Sequence, residues 1–256
     1  MSFTLGGKTS SELGLVLLSR GTVIPGGPAT RDRILTLPGR AGALDFGAEL
    51  QPREFVLHCA VTSQTREELV ARLRELVAHL CGPDGRPRTL QLVVEPETDS
   101  YYQVRYTGSL PVERWATWGQ VSLPLTAYDP FAYAVSPEVV VIMASPHAHT
   151  QWGTAPGEPL LRLQGVLSGG GQQLSITIGT QTVTYRGALA TGDWLEIDCR
   201  DMTAVRVVGV TRTRVLGSLE RPIFPQLPSG ASTITVTPTG GATWSRLEMH
   251  CRNRWL

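Results

Sequence analysis

His147-Ala148-His149 is the segment of this 256-residue chain that most resembles metal-binding chemistry. In an extended strand the side chains at i and i+2 point the same way, so two imidazoles could meet one zinc ion. Catalytic zinc needs a third protein ligand, and no carboxylate or cysteine sits close by in sequence to complete the set. The stretch from Ser145 to Gly157, with Pro146, Gly153, Pro156 and Gly157, reads as a loop. Two acid pairs come next: Glu95 with Glu97, and Glu196 with Asp198, each spaced i, i+2 on an extended segment. A glycosidase holds two carboxyl groups roughly 5–9 Å apart in a cleft. Beyond Trp194, nothing in the sequence marks either pair as buried or flanked by aromatic rings.

The remaining chemistry thins out quickly. No G-x-S-x-G nucleophile elbow occurs. Ser168-Gly169-Gly170-Gly171 is followed by neither a helix pattern nor a Lys-Ser/Thr pair, so it reads as a flexible hairpin tip and not as a phosphate loop. Cys59, Cys81, Cys199 and Cys251 form no C-x-x-C and are expected to be buried free thiols. His58 and His250 fall in strand patterns and His79 in a helix, where hydrogen-bonded structural roles are the expectation. Trp115, Trp118, Trp152, Trp194, Trp244 and Trp255 are spread along both halves, and core packing is expected for most of them. No catalytic, cofactor-binding or metal-ligating residue is assigned, no cofactor is expected, and the chain is read as something other than an enzyme.

The elements that would position these residues are mostly strands. One segment, Arg66 to Cys81, has helical periodicity: Leu69, Leu73, Leu76 and Leu80 lie at i, i+4, i+7 and i+11. Thr65 with Glu68 forms a capping box, and Gly82-Pro83 stops the helix. In the first half, Phe55 to Val61, Thr89 to Val94, Tyr101 to Gly108 and Gln120 to Ala127 read as strands. In the second, strands are read at Val139 to Met143, Leu160 to Gln164, Leu174 to Ile178, Gln181 to Tyr185, Trp194 to Asp198, Ala204 to Val208, Thr233 to Thr237 and Arg246 to Cys251, with Gly179-Thr180 as a two-residue hairpin turn. The expectation is a mainly β protein of two domains, residues 1–137 and 138–256. The first reads as strands around one helix, in the order β…β-α-β-β-β, and the second as a β-sandwich or barrel.

Composition narrows the class further. Lys+Arg 23 nearly cancels Asp+Glu 22, for a net charge of +1. That argues against tight, non-specific binding to nucleic acid, which needs surplus positive charge on one face. Lys8 is the only lysine and every other cation is arginine. The guanidinium fork suits interfaces, and a GC-rich genome produces the same bias. No run of about 18 apolar residues exists to span a membrane, so no membrane insertion is expected. Met1-Ser2-Phe3-Thr4-Leu5 lacks the basic and apolar regions of a signal peptide, and synthesis in a cytosol is expected. The polar, proline-bounded stretch from Pro25 to Arg40 reads either as an arm touching a neighbour or as an ordinary surface loop.

Several segments, in order, resemble the distal tail protein (Dit) family of long-tailed bacteriophages (siphophages). They are Phe3 to Leu15, Leu37-Pro38-Gly39-Arg40-Ala41-Gly42-Ala43-Leu44-Asp45-Phe46-Gly47, Tyr101 to Tyr106, Tyr128 to Tyr133, Phe224 to Gly230, and Cys251 to Leu256. Cys251 stands where an aromatic is common, and Ala231 where asparagine often follows the glycine. The resemblance implies a first domain that is a β-sandwich with one helix and an extended hairpin and oligomerises into a homohexameric ring, and a second, galectin-like β-sandwich at its periphery. It implies a ring that joins the tail tube protein to the tip or baseplate, beside the tail-tip hub (tail-associated) and tape measure proteins, with DNA only as passing cargo. The implied location is the tail tip of the virion, assembled in the host cytoplasm. The alternative is an adhesin that binds host-surface saccharide through the second domain.

Overall fold

Alternating apolar and polar residues place most strands, because successive side chains on a strand leave opposite faces. The structure, a computed structural model, describes residues 2–114 and 118–256; Met1 and Trp115 of the sequence analysis lie outside them. The chain divides into two compact units, one built from residues up to Val135 and one from Ser136 to Trp255.

The first unit contains β1 (Phe3–Leu5), β2 (Lys8–Thr9), β3 (Leu15–Leu17), β4 (Thr30–Leu35), β5 (Leu44–Leu50), β6 (Arg53–Thr62), α1 (Arg66–Leu80), β7 (Thr89–Val94), β8 (Glu97–Tyr106), β9 (Val112–Arg114), β10 (Trp118–Ala127) and β11 (Ala132–Ala134). Its main sheet runs in the order β2-β1-β7-β8-β10-β6-β3. Two residue pairs, Leu125 with Tyr106 and Thr126 with Arg105, join β8 to β10. The portions on either side of that junction therefore close on one core. Phe3, Leu5, Leu92 and Val104 come from one side, and Phe55, Leu57, Val61 and Leu123 from the other. Strands β6 and β10 pair antiparallel along ten residues, from Arg53 with Ala127 to Thr62 with Trp118.

Helix α1 covers this core with Leu69, Leu73, Leu76 and Leu80, the stripe expected from periodicity. Thr65 accepts a hydrogen bond from the Glu68 N–H at 3.2 Å, and the Glu68 carboxylate reaches back to the Gln64 N–H at 2.7 Å. Two N–H groups that the helix end would leave unpaired are thus satisfied.

The second unit contains β12 (Glu138–Ile142), β13 (His147–Gln151), β14 (Leu160–Val166), β15 (Gln173–Ile178), β16 (Gln181–Tyr185), β17 (Trp194–Asp198), β18 (Thr203–Val208), β19 (Thr211–Arg214), β20 (Gly230–Thr239), β21 (Thr243–Cys251) and β22 (Arg254–Trp255). One sheet has the order β12-β21-β14-β17-β18-β19 and the other β13-β20-β15-β16. Leu161, Leu163, Ile197, Leu247 and Met249 of the first sheet share a core with Ile176, Tyr185, Ile234 and Val236 of the second, which makes a β-sandwich. Gly179, at φ +59, opens the two-residue turn between β15 and β16, as a type II′ turn requires.

Two sequence expectations need correction here. Ser145 to Gly157 is not all loop, because His147–Gln151 is strand β13, paired to β20 in full register. Flanking prolines and glycines hid a five-residue strand. Ser168-Gly169-Gly170-Gly171 is not a hairpin tip: it connects β14 of one sheet to β15 of the other. Three consecutive positive φ angles make that crossover, which is why three glycines stand there.

Candidate functional site

The first unit carries a solvent-exposed hairpin. Strands β4 and β5 pair only with each other, with Thr30 opposite Leu50 and Leu35 opposite Leu44. All six residues of β4 are exposed. Ile34 is 62% exposed, Phe46 64%, Leu35 47% and Leu50 43%. An isolated two-stranded ribbon is marginal in water, and one that displays large apolar side chains gains from covering them. Its own support is electrostatic. Arg31 donates to Glu49 at 2.9 Å, Arg33 pairs with the same carboxylate, and the Asp45 carboxylate accepts from the Gly47 N–H at 2.8 Å. Glu49 is held below its ordinary pKa, mainly by the hydrogen bond from Arg31.

The acid pairs named from sequence are not dyads. Glu95 sits beside the turn between β7 and β8 and accepts from the Ser2 N–H at 2.9 Å. Asp198 accepts from the backbone N–H groups of Arg200 and Asp201 at 3.0 Å each. Glu196 faces Glu248 across Arg162, which stands opposite both carboxylates on the central strand β14 and binds each at 3.0 Å. Arg212 adds to Glu196, Arg246 to Glu248 at 2.7 Å, and the Arg162 guanidinium lies 4.5 Å from the centre of the Trp194 ring. Both carboxylates are thus members of one arginine-bridged ion-pair network. The cleft of about 380 Å³ in the first unit is lined by Glu54 with Thr107, Ser109 and Ser122, among others, and brings no second acid or imidazole to Glu54.

The tryptophans also depart from expectation. None of those described is fully buried: Trp152 is 76% exposed, Trp118 is 40% exposed, and Trp244 packs on the core only in part. The histidines fare as read: His79 is buried with Nε2 at 2.8 Å from the Leu5 carbonyl, and His58 Nδ1 lies 3.1 Å from the Ser122 hydroxyl. The cysteines are free thiols, and burial pushes Cys59, Cys199 and Cys251 up to about 12. Cys81, at the end of α1, is only half-buried. Sequence reasoning missed Arg53. It occupies an inward position of β6, is 2% exposed, and donates from Nη1 to the Tyr102 hydroxyl at 3.1 Å while two of its nitrogens stay unpartnered. Its parity with Phe55, Leu57 and Cys59 was the available signal.

His149 is the member of the His147-Ala148-His149 pair that enters a ligand-like cluster, and His147 is not part of it. The carboxylate of Glu138, the imidazole of His149 and the thiol of Cys251 place one ligand atom each within 4.8 Å of the others. Glu138 stands directly opposite Cys251 in the β12–β21 pairing, and His149 comes from β13 of the facing sheet. The two completing residues are remote in sequence, which is why reading neighbours found none.

Residues 11–127 match the family model of the phage tail protein RIFT-related domain. That segment, a little under half of the chain, is similar to a phage tail domain. The whole fold agrees: the SPP1 Dit protein (gp 19.1), a hub of the adsorption apparatus in phages that infect Gram-positive bacteria, superposes with a TM-score of 0.79 over 100% of this chain and 99% of that one, at 14% identity. Two structures of the phage P2 baseplate in its activated conformation, with Ca and with Sr, match at TM-scores of 0.48 and 0.49, covering 98% and 96% of this chain and 97% of each matched chain, at 8% and 7% identity. No curated protein matches the sequence. The chain thus shares the fold of the SPP1 Dit protein along its whole length. In the first unit, Pro38 to Gly47 forms the loop and first residues of β5 in the exposed hairpin. Gly39 and Gly42 stand at φ +79 and +81, and a Cβ added at either would meet nothing within 4 Å, so they serve backbone direction and not close packing.

Proposed function

We propose that the protein is the distal tail subunit of a long-tailed phage, and that six copies close into a ring joining the tail tube to the baseplate or tip. The β4–β5 hairpin carries this reading: an unsupported ribbon with apolar side chains on both faces gains a core only from a neighbour. Residues 1–137 form the ring. Residues 138–256, a galectin-like sandwich, stand at its periphery and meet the hub and other tip proteins. The near-neutral chain suits a channel through which DNA slides without being held. The assembled ring sits at the tail tip, in contact with tube and tape measure proteins, after assembly in the host cytoplasm.

Light scattering and negative-stain microscopy of the purified chain, alone and with tail tube protein, test this. Rings of six are expected. A chain that stays monomeric in both conditions refutes it. The adhesin alternative has one observation in its favour, the exposed indole of Trp152. Binding to host cell-wall polysaccharide that disappears in Trp152→Ala would support it, and equal binding by both chains would not.

A further inference from the structure

The phage-tail reading uses no side chain of the cluster at one end of the second unit's sandwich. We propose that Glu138, His149 and Cys251 bind a zinc ion that braces the two sheets of this unit. The elements bring the three together from both layers. Cys251 follows Leu247 and Met249 along the inward face of β21, and Glu138 is its direct cross-strand partner on β12. His149 lies on the inward face of β13, the edge strand of the opposite sheet.

The polar groups at this end lack what buried polar groups ordinarily have. His149 is 8% exposed and its Nε2 has no hydrogen-bond partner. Gln151, two residues along the same face and 2% exposed, has both amide atoms unpartnered. Ser232, opposite His149 in the β13–β20 pairing, has an unpartnered hydroxyl. Buried polar atoms are nearly always paired, and here the orphans gather where three metal-ligating side chains meet.

The chemistry of the donors selects the ion. A thiolate and an imidazole favour zinc over magnesium or calcium, and a carboxylate completes the set without excluding it. Bonds of roughly 2.0–2.3 Å in a tetrahedral site put ligand atoms about 3.4–3.8 Å apart. Cys251 Sγ already lies 4.0 Å from Glu138 Oε2, and the three ligand atoms fall within 4.8 Å of one another, so rotamer-scale shifts close the site. Water takes the fourth position, with the Gln151 amide and the Ser232 hydroxyl available to it. The unpartnered Nε2 of His149 is the ring atom left free to meet an ion. Binding the ion would displace the Cys251 thiol proton, since a coordinating thiol is deprotonated.

The test uses the full chain. Elemental analysis after purification without chelator should find about one zinc per chain. Metal-free protein titrated with Co2+ should develop thiolate-to-cobalt charge-transfer absorption. Cys251→Ser should abolish that band, and Glu138→Gln should weaken Zn2+ binding by more than about tenfold, while Cys199→Ser, a change at another buried thiol, leaves both intact. Circular dichroism on each variant separates loss of the site from loss of the fold, and the wild-type band stands on its own if a variant does not fold. Wild-type protein with less than a tenth of an equivalent of zinc and no cobalt–thiolate band, or a band that survives Cys251→Ser, overturns the proposal. The ring reading is untouched by that result, because its test reads assembly and not metal.

Discussion

The hairpin of the first unit and the outer face of the second unit's larger sheet are both rich in arginine, and they use it in opposite ways. On β4 and β5, Arg31 and Arg33 converge on Glu49 while all three side chains stay substantially exposed. Such pairs add little stability, and they leave Ile34, Leu35 and Phe46 in water. On β14, β17 and β21, Arg162 is locked between Glu196 and Glu248, whose side chains are each only 11% exposed. Here the charges are paired with one another within the unit. The contrast separates a region whose charges are paired within the unit from one that leaves its apolar area in water.

The largest expected effect lies in the charge-paired region. Arg162→Ala leaves two mostly buried carboxylates facing each other without their shared cation, and should destabilise the second unit by roughly 3 kcal/mol. Denaturant unfolding followed by the fluorescence of Trp194 and Trp244 would measure it, and a loss below about 0.5 kcal/mol would place this face with the exposed pairs of the hairpin. Oligomeric state should not change in the folded fraction.

Acid sharpens the same contrast. The Ala190 N–H and then the Arg206 guanidinium hold Asp193 below the ordinary carboxylate range, at 2.9 Å and 2.6 Å. A carboxyl group with a depressed folded-state pKa contributes stability that is full above its unfolded value, ~3.9, and is lost as pH falls through the folded value. The second unit should therefore weaken below about pH 4, by on the order of 1–2 kcal/mol from this group. Asp193→Asn should start lower and show a flatter acid limb in thermal melts between about pH 5 and pH 2.

How much of this was legible in the sequence depended on whether the cause was local. The α1 stripe, its Thr65 cap and β7 from Thr89 to Val94 are local patterns, and each lies where periodicity puts it. Strand β13 was hidden by Pro146 and Gly153, which signal turns on either side of a strand too short to show its own period. Strand β19, Thr211–Arg214, is exposed throughout and has no apolar alternation to read. The hairpin was half legible: Pro25 to Arg40 drew attention as an arm, but the returning strand Leu44–Leu50 carries no buried face to reveal it. The Glu138–His149–Cys251 cluster and the Arg162 clamp depend on cross-strand register between segments distant in sequence, which no neighbour-by-neighbour reading supplies.

A smaller loss is expected at the helix of the first unit. Thr65→Ala removes the acceptor for the Glu68 N–H and should cost about 1 kcal/mol. Thr65→Ser should restore most of it, because the hydroxyl is the group that acts. Failure of serine to rescue would point to the lost methyl group instead.

The smallest effect on stability should come from the most conspicuous apolar residue. Phe46 is 64% exposed in the isolated chain, so Phe46→Ser removes almost no buried area there, and the unfolding free energy should move by less than about 0.5 kcal/mol. In the proposed ring, the same phenyl carbons would lie against the next copy, and their loss would act once at every interface of a closed circle. A modest penalty per contact then multiplies, so rings should dissociate at concentrations where the unaltered chain stays assembled. Ile34→Ser, on the ribbon's other face, discriminates further: if both faces are covered, each variant weakens assembly, and if one face rests on solvent, only one does. Sedimentation velocity of the two variants beside Arg162→Ala would then show stability and assembly failing in different parts of the molecule. Phe46→Ser and Ile34→Ser chains that both assemble like the unaltered protein would remove the hairpin from the interface.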